Sequence, residues 1–192
     1  MTPALCELLA NSLLSDQTCI EQLRSSSLVP DVLGQIDAES DDRIQTDIRQ
    51  EYCLILRFCS DDKATRALLE YADSPEPDVR FQAIKSLHFK DVSEPRLREL
   101  LNERLSDDDE EIAVIASQIA ADRQLTSLFD PIHERMGEAT GTNRFQFALA
   151  LIELGDEQQL DKFQETLLDV CTQHLTSDET VSAASEALLK LG

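Results

Sequence analysis

The side chains that could do chemistry are few, and their spacing does not gather them. His88, His133 and His174 are the three histidines, widely separated along the chain. A metal or acid–base centre needs ligands or bases that converge. His133-Glu134-Arg135 lacks the second His, four residues on, of a zinc-binding helix. Five cysteines, Cys6, Cys19, Cys53, Cys59 and Cys171, are an odd number and form no C-x-x-C pair. Each sits in an apolar, helix-like stretch, where Cys behaves as a small buried hydrophobe. Reduced structural thiols are therefore expected, in a cytoplasmic protein. The segment Gly137 to Asn143 bears glycines but has no Lys of a phosphate-binding loop, and reads as a connector. Ser25-Ser26-Ser27 has no local partner that would make a nucleophile. The run Asp107 to Glu111 lacks the alternating ligands and mid-loop Gly of a calcium loop, and reads as a solvated helix entry. No catalytic residue, metal site or cofactor follows from these residues.

The elements that would position any site follow from composition and periodicity. The chain has 192 residues, 17 Lys and Arg against 38 Asp and Glu, and a formal charge of -21. Nucleic acid is disfavoured as a partner, because phosphate binding draws on clustered cations that release counterions. An anionic membrane surface is disfavoured for the same reason, and no apolar run approaches the roughly 18 to 20 residues of a membrane span. The stretch Met1 to Leu14 carries no basic residue and so lacks the lead of a signal peptide. Five Gly, six Pro and no Trp argue against an all-β chain.

Apolar residues recur at helical steps almost throughout. Ile48, Tyr52, Ile55, Leu56 and Cys59 form one stripe; Val79, Ala83, Ile84 and Leu87 another; Ile112, Ile115, Ala116 and Ile119 a third. Ser93 before Glu94-Pro95, and Asp130 before Pro131, read as N-caps followed by Pro in the first turn. The Asp107 to Glu111 carboxylates suit the positive end of the next helix. Gly155 and Gly192 each follow a Leu, as helix stops do.

A repeat organises these stripes. Asp78-Val79-Arg80 leading to Ala83 and Leu87 aligns with Asp47-Ile48-Arg49 leading to Tyr52 and Leu56, and with Glu111-Ile112 leading to Ala116 and Ala120. Further copies run from Arg144-Phe145 to Ala148, Ile152 and Leu154-Gly155-Asp156, and from Thr180-Val181 to Leu191-Gly192. Copies recur every 31 to 37 residues or so, in the range of helical-pair repeats. Shorter amphipathic stretches lie between them, at 64–71, 95–105, 125–136 and 158–174, so each unit reads as a hairpin of an A helix and a B helix. The pattern resembles the HEAT-repeat family, in particular the short variety found in phycobilin lyases. The resemblance is carried by Pro75-Glu76-Pro77-Asp78-Val79-Arg80 with Ala83 and Leu87, and by Ala148 to Asp156. The copy at Ile112 departs from it, with Ala113 in place of the Arg.

The expected fold is all-α: a right-handed α-solenoid of about five stacked hairpins in a single domain. Residues 43–192 would form the repeats and 1–42 an atypical cap of three short helices, with a polar connector over 38–43. A two-helix unit cannot bury both apolar faces alone and must stack on its neighbours. Val79, Ala83, Leu87, Ile112, Ala116, Ala148, Ile152 and Leu188 are expected inside. Arg80 is placed to meet an acidic cap of the adjacent unit, or else solvent.

With Val79, Ala83 and Leu87 inward, the outer stripe of that B helix holds Phe81, Lys85 and His88. The equivalent positions are Gln50, Leu54 and Arg57 in the preceding unit, Val114, Gln118 and Ala121 in the next, then Gln146, Ala150 and Glu153. Arg57, Phe81, Lys85 and His88 thus form a cationic, aromatic island on an acidic chain, suited to an acidic protein partner. Packing of Phe81 between units is the other reading of that residue. The function expected is a non-enzymatic protein-binding scaffold or adaptor. One version is an acidic inhibitor or immunity protein that neutralises a basic partner. The resemblance implies an alternative, a phycobilin lyase-like subunit or chaperone for chromophore attachment or detachment.

Overall fold

A computed structural model describes residues 42–173 and 180–191. Among these residues there is no strand. Nine α-helices follow in order: α1 (Asp42–Leu56), α2 (Asp62–Tyr71), α3 (Pro77–Leu87), α4 (Glu94–Arg104), α5 (Glu110–Asp122), α6 (Phe129–Glu138), α7 (Gly141–Leu154), α8 (Glu157–Gln173) and α9 (Val181–Leu191). A single 3-10 turn, Thr126–Leu128, precedes α6. Of the connector expected over 38–43, residues 42 and 43 already belong to α1. The expected capping helices, Cys6, Cys19, the serine run, His174 and Gly192 lie outside the described residues. The helices divide into two compact units, residues 1–92 and 93–192.

In the first unit, α3 packs on both α1 and α2. The Asp61 carboxylate caps α2 by accepting the Lys63 N–H at 2.8 Å. Pro77 opens α3, where its missing N–H costs nothing. The inward face of α3 is as the spacing predicts: Val79, Ala83, Ile84 and Leu87 are all buried. The neighbouring helices bury Tyr52, Leu56 and Leu68, and each such side chain contributes roughly 1.5–3 kcal/mol by leaving water. Arg80 does not need a neighbouring unit. Its Nη1 donates to the carbonyls of Ser74 at 2.9 Å and Pro75 at 3.0 Å, tying α3 to the loop of its own hairpin. Beyond α3 the chain turns back, and Lys90, only 7% exposed, donates from Nζ to the Cys59 carbonyl at the end of α1.

In the second unit the hairpins are α4–α5, α6–α7 and α8–α9. The B helices stack, with α7 against both α5 and α9. Ala113, Ala116 and Ala120 of α5 and Ala148 of α7 are fully buried, so the backbones approach closely where side chains are small. Asp109 is the N-cap of α5, accepting from the Glu111 N–H at 2.9 Å, with Glu110 and Glu111 in the first turn. The acidic run is thus the helix entry that the sequence predicts.

Three expectations need correction, and one is sharpened. Asp130 is not an N-cap: α6 starts one residue earlier, at Phe129, because the preceding 3-10 turn runs straight into it. The connector expected from Gly137 to Asn143 shrinks to Ala139 and Thr140, since α6 reaches Glu138 and α7 begins at Gly141, whose φ is +55°. Gly155 does end α7, but in extended backbone with φ -72°, so left-handed geometry is not its reason. A Cβ there would stand 2.7 Å from Phe129 Cε2, 2.8 Å from Leu160 Cδ2 and 3.0 Å from the Leu151 carbonyl. Glycine is needed for close packing. Finally, Leu188 is half-buried, while Ala184, Ala187 and Leu191 form the inner face of α9. The other seven residues expected inside are buried.

Candidate protein-binding surface

Both units are acidic: residues 1–92 carry 17 acidic and nine basic side chains, a net of -8, with the stretch 42–92 the least acidic at -2. Residues 93–192 carry 21 acidic and eight basic, a net of -13.

The predicted patch lies wholly in the first unit, and two short contacts organise it. Lys85 is exposed, and its Nζ stands 5.6 Å from the ring centre of Phe81, four residues earlier on α3. Phe81 is half-buried, so it neither stands clear in solvent nor joins the core. Arg57 follows α1, and its guanidinium lies over two rings, 4.1 Å from the centre of Phe89 and 4.8 Å from that of Phe58. His88 meets Phe89 edge-to-face at 5.0 Å. Phe89 therefore links Arg57 to His88, and is itself 56% exposed. Burial against these rings lowers the Arg57 pKa from its ordinary value. Its Nε is buried without a hydrogen-bond acceptor among the described residues.

Phe58 and Phe89 escaped the sequence reading. Both follow the last helical residue, Leu56 and Leu87 respectively, where a stripe extrapolated at 3.6 residues per turn no longer applies. The available signal was composition: an aromatic directly after a helix end, next to Arg57 in one case and His88 in the other.

The equivalent stripe of the second unit is different in kind. Gln118 Nε2 donates to Gln146 Oε1 at 3.1 Å, joining α5 to α7 one repeat apart. Asn143 Nδ2 donates to Glu110 Oε2 at the starts of the same two helices. Lys190 of α9 pairs with Glu153 of α7 at 3.4 Å. Ala121 and Ala150, expected outside, are buried, because the stacked B helices close over small residues. On the A-helix side a shallow polar cleft is lined by Asn102, Ser106, Glu134 and Glu138. Its cations are engaged: Arg135 pairs with Glu138 at 3.0 Å and Arg104 with Asp107 at 3.5 Å. His133 stacks on Phe163 at 3.9 Å between ring centres, a packing role.

Cys53, Cys59 and Cys171 are free and buried. Cys59 Sγ donates to the Ile55 carbonyl at 3.6 Å. Burial pushes the thiols of Cys53, Cys59 and Cys171 up, away from the reactive thiolate. Among the described residues no three His, Cys, Asp or Glu side chains are placed to hold a metal ion, and no helix is long and apolar enough to cross a membrane.

Helical hairpins whose B helices stack one on the next define an α-solenoid repeat protein. The HEAT-repeat family model matches residues 31–122. HEAT repeats in general serve as scaffolds for protein–protein interaction. No curated protein matches the chain significantly.

Proposed function

We infer that the protein is a non-enzymatic adaptor that binds another protein through the partly exposed face formed by Arg57, Phe81, Lys85 and His88, extended by Phe58 and Phe89. One observation carries this reading: an exposed aromatic ring, Phe89, is stacked with a guanidinium in the least acidic part of a strongly acidic chain. Arg and aromatic side chains supply a disproportionate share of interface energy. Elsewhere on the B-helix stripe the polar side chains already satisfy one another.

The test uses a partner captured by the full-length protein and then purified. Replacing Phe81 and Lys85 together by Ala should weaken its Kd at least ten-fold, about 1.4 kcal/mol, at unchanged melting temperature. Full binding by the double variant, with the fold intact, would move the functional surface elsewhere.

The net charge of -13 over residues 93–192 favours a second reading, an acidic inhibitor of a basic partner. In that case affinity would fall steeply with salt and be insensitive to the Phe81 and Lys85 changes. The chromophore-lyase alternative draws on family resemblance alone, and no side-chain arrangement described above adds to it.

A further inference from the structure

We propose that Arg57 is the docking point for a side-chain carboxylate of an acidic segment in a partner protein, with the exposed ring of Phe89 taking an apolar side chain next to that carboxylate. This rests on the first-unit surface being the binding face, and specifies what occupies it. A guanidinium offers five N–H donors and is almost always charged. Arg80 spends donors on the Ser74 and Pro75 carbonyls, Arg104 on Asp107 and Glu103, and Arg135 on Glu138. The Arg57 guanidinium stands over two aromatic rings at 4.1 and 4.8 Å, and its Nε, like those of Arg104, Arg135 and Arg144, is buried without an acceptor among the described residues. This occurs in a chain with 38 carboxylates.

Ring contact holds a guanidinium in place but satisfies none of its N–H groups. The group that does so best is a carboxylate, which accepts two parallel N–H bonds from the planar fork. Fixing the fork on rings beforehand removes much of the side-chain entropy that a free Arg would lose on binding. A small anion alone would leave the remaining surface unused. Phe89 is 56% exposed beside the guanidinium, and His88 and the exposed Lys85 follow on the same helix end. That strip fits an extended segment in which an Asp or Glu neighbours a Leu or Phe.

The experiment presents the full-length protein to synthetic octapeptides carrying Glu beside Leu or Phe. The same peptides are made with Gln for Glu, with phosphoserine for Glu, and with Lys for Glu, and affinities are read by fluorescence anisotropy. The Glu peptides should bind, the Gln and Lys versions at least ten-fold more weakly. Arg57→Lys, which keeps the charge but loses the fork, should cost the Glu peptides at least ten-fold, as should Phe89→Ala, with melting temperature preserved in both. Equal binding of Glu and Gln peptides, binding only of phosphoserine or Lys peptides, binding of none, or indifference to Arg57→Lys would each overturn the carboxylate assignment. Charge-independent binding that is lost in Phe89→Ala would leave the surface reading standing and remove only the carboxylate. Binding untouched by changes at Phe81, Lys85 and Phe89 alike would remove both.

Discussion

The two units share a construction rule and differ in what they leave open. In residues 93–192 the outward polar groups of successive B helices answer one another: Gln118 with Gln146, Asn143 with Glu110, Lys190 with Glu153. In residues 42–92 the corresponding stripe is occupied by rings and cations, and the Arg57 guanidinium rests on aromatic carbon. Repeat backbones can be nearly interchangeable while their surfaces take separate tasks.

The comparison rests on both units having the same kind of core, and a buried charge tests that most severely. Ala83 in the first unit and Ala148 in the second are fully buried between helices. Arg at either position has no room and no partner, so a loss of about 3–5 kcal/mol is expected from each by analogy with unpaired buried charges. Thermal unfolding followed by circular dichroism checks it. If Ala83→Arg melts like the parent while Ala148→Arg collapses, the first unit is not built as described.

A smaller and more local effect belongs to the second unit. Gly155→Ala puts a methyl group 2.7 Å from Phe129 and 2.8 Å from Leu160. Overpacking of this kind costs typically 1–3 kcal/mol. An unchanged melting temperature would show that Phe129, itself buried, can yield, and that close packing is not what requires glycine there.

Most of the fold was legible because burial leaves a periodic mark. Val79, Ala83 and Leu87, or Ile112 and Ala116, repeat at a step that only a helix with one inward face explains. Leu188 misled because an alanine-rich helix offers several apolar stripes, and α9 turned Ala184, Ala187 and Leu191 inward. The proposed surface was legible in part: Phe81 and Lys85 share one face of α3, as the spacing predicts, and His88 caps that helix. Phe58 and Phe89 come after helix ends, where direction is set by turns and not by period. Arg57 was chosen as a position equivalent to His88, yet what marks it out is ring contact made through Phe89, a tertiary fact that no spacing encodes.

Alkaline pH offers a gentler way to separate the units. The thiols of Cys53 and Cys59 and the Tyr52 hydroxyl are pushed up by burial in the first unit, against Cys171 alone among the described cysteines of the second. A raised pKa means that the folded chain keeps a proton which the unfolded chain releases above about 9, the ordinary thiol value. Stability from these groups is present below pH 9 and declines as pH rises past it. Lys90 acts oppositely: burial lowers its amine pKa, so its contribution improves as pH climbs toward 10.5. Melting temperatures from pH 7.5 to 10.5 should fall for the parent. The fall should flatten more in Cys53→Ala than in Cys171→Ala, and steepen in Lys90→Met. Equal slopes for both cysteine variants would erase this difference between the units.

The smallest effect concerns how the second unit ties its repeats together. Gln124 ends α5 with φ +55°, a left-handed conformation that L side chains rarely adopt. The Leu125 N–H reaches the Ala120 carbonyl at 2.9 Å and the Gln124 N–H the Ala121 carbonyl at 3.0 Å, the paired bonds of a helix end that usually uses Gly. The Gln124 side chain adds bonds to the Ala121 carbonyl at 2.9 Å and, across to α7, to the Glu153 carbonyl at 3.4 Å. Gln124→Gly therefore sets two terms against each other. Relief of left-handed strain is worth about 1–2 kcal/mol. The two lost bonds are worth about 0.5–1.5 kcal/mol each when well made, and the longer, exposed one falls at the low end. The strain term should win narrowly, raising stability by less than about 1 kcal/mol, a shift resolvable in urea midpoints at constant slope. A fall instead would mean that Gln124 works as a tie between repeats, and that the second unit uses side-chain amides to hold its own register.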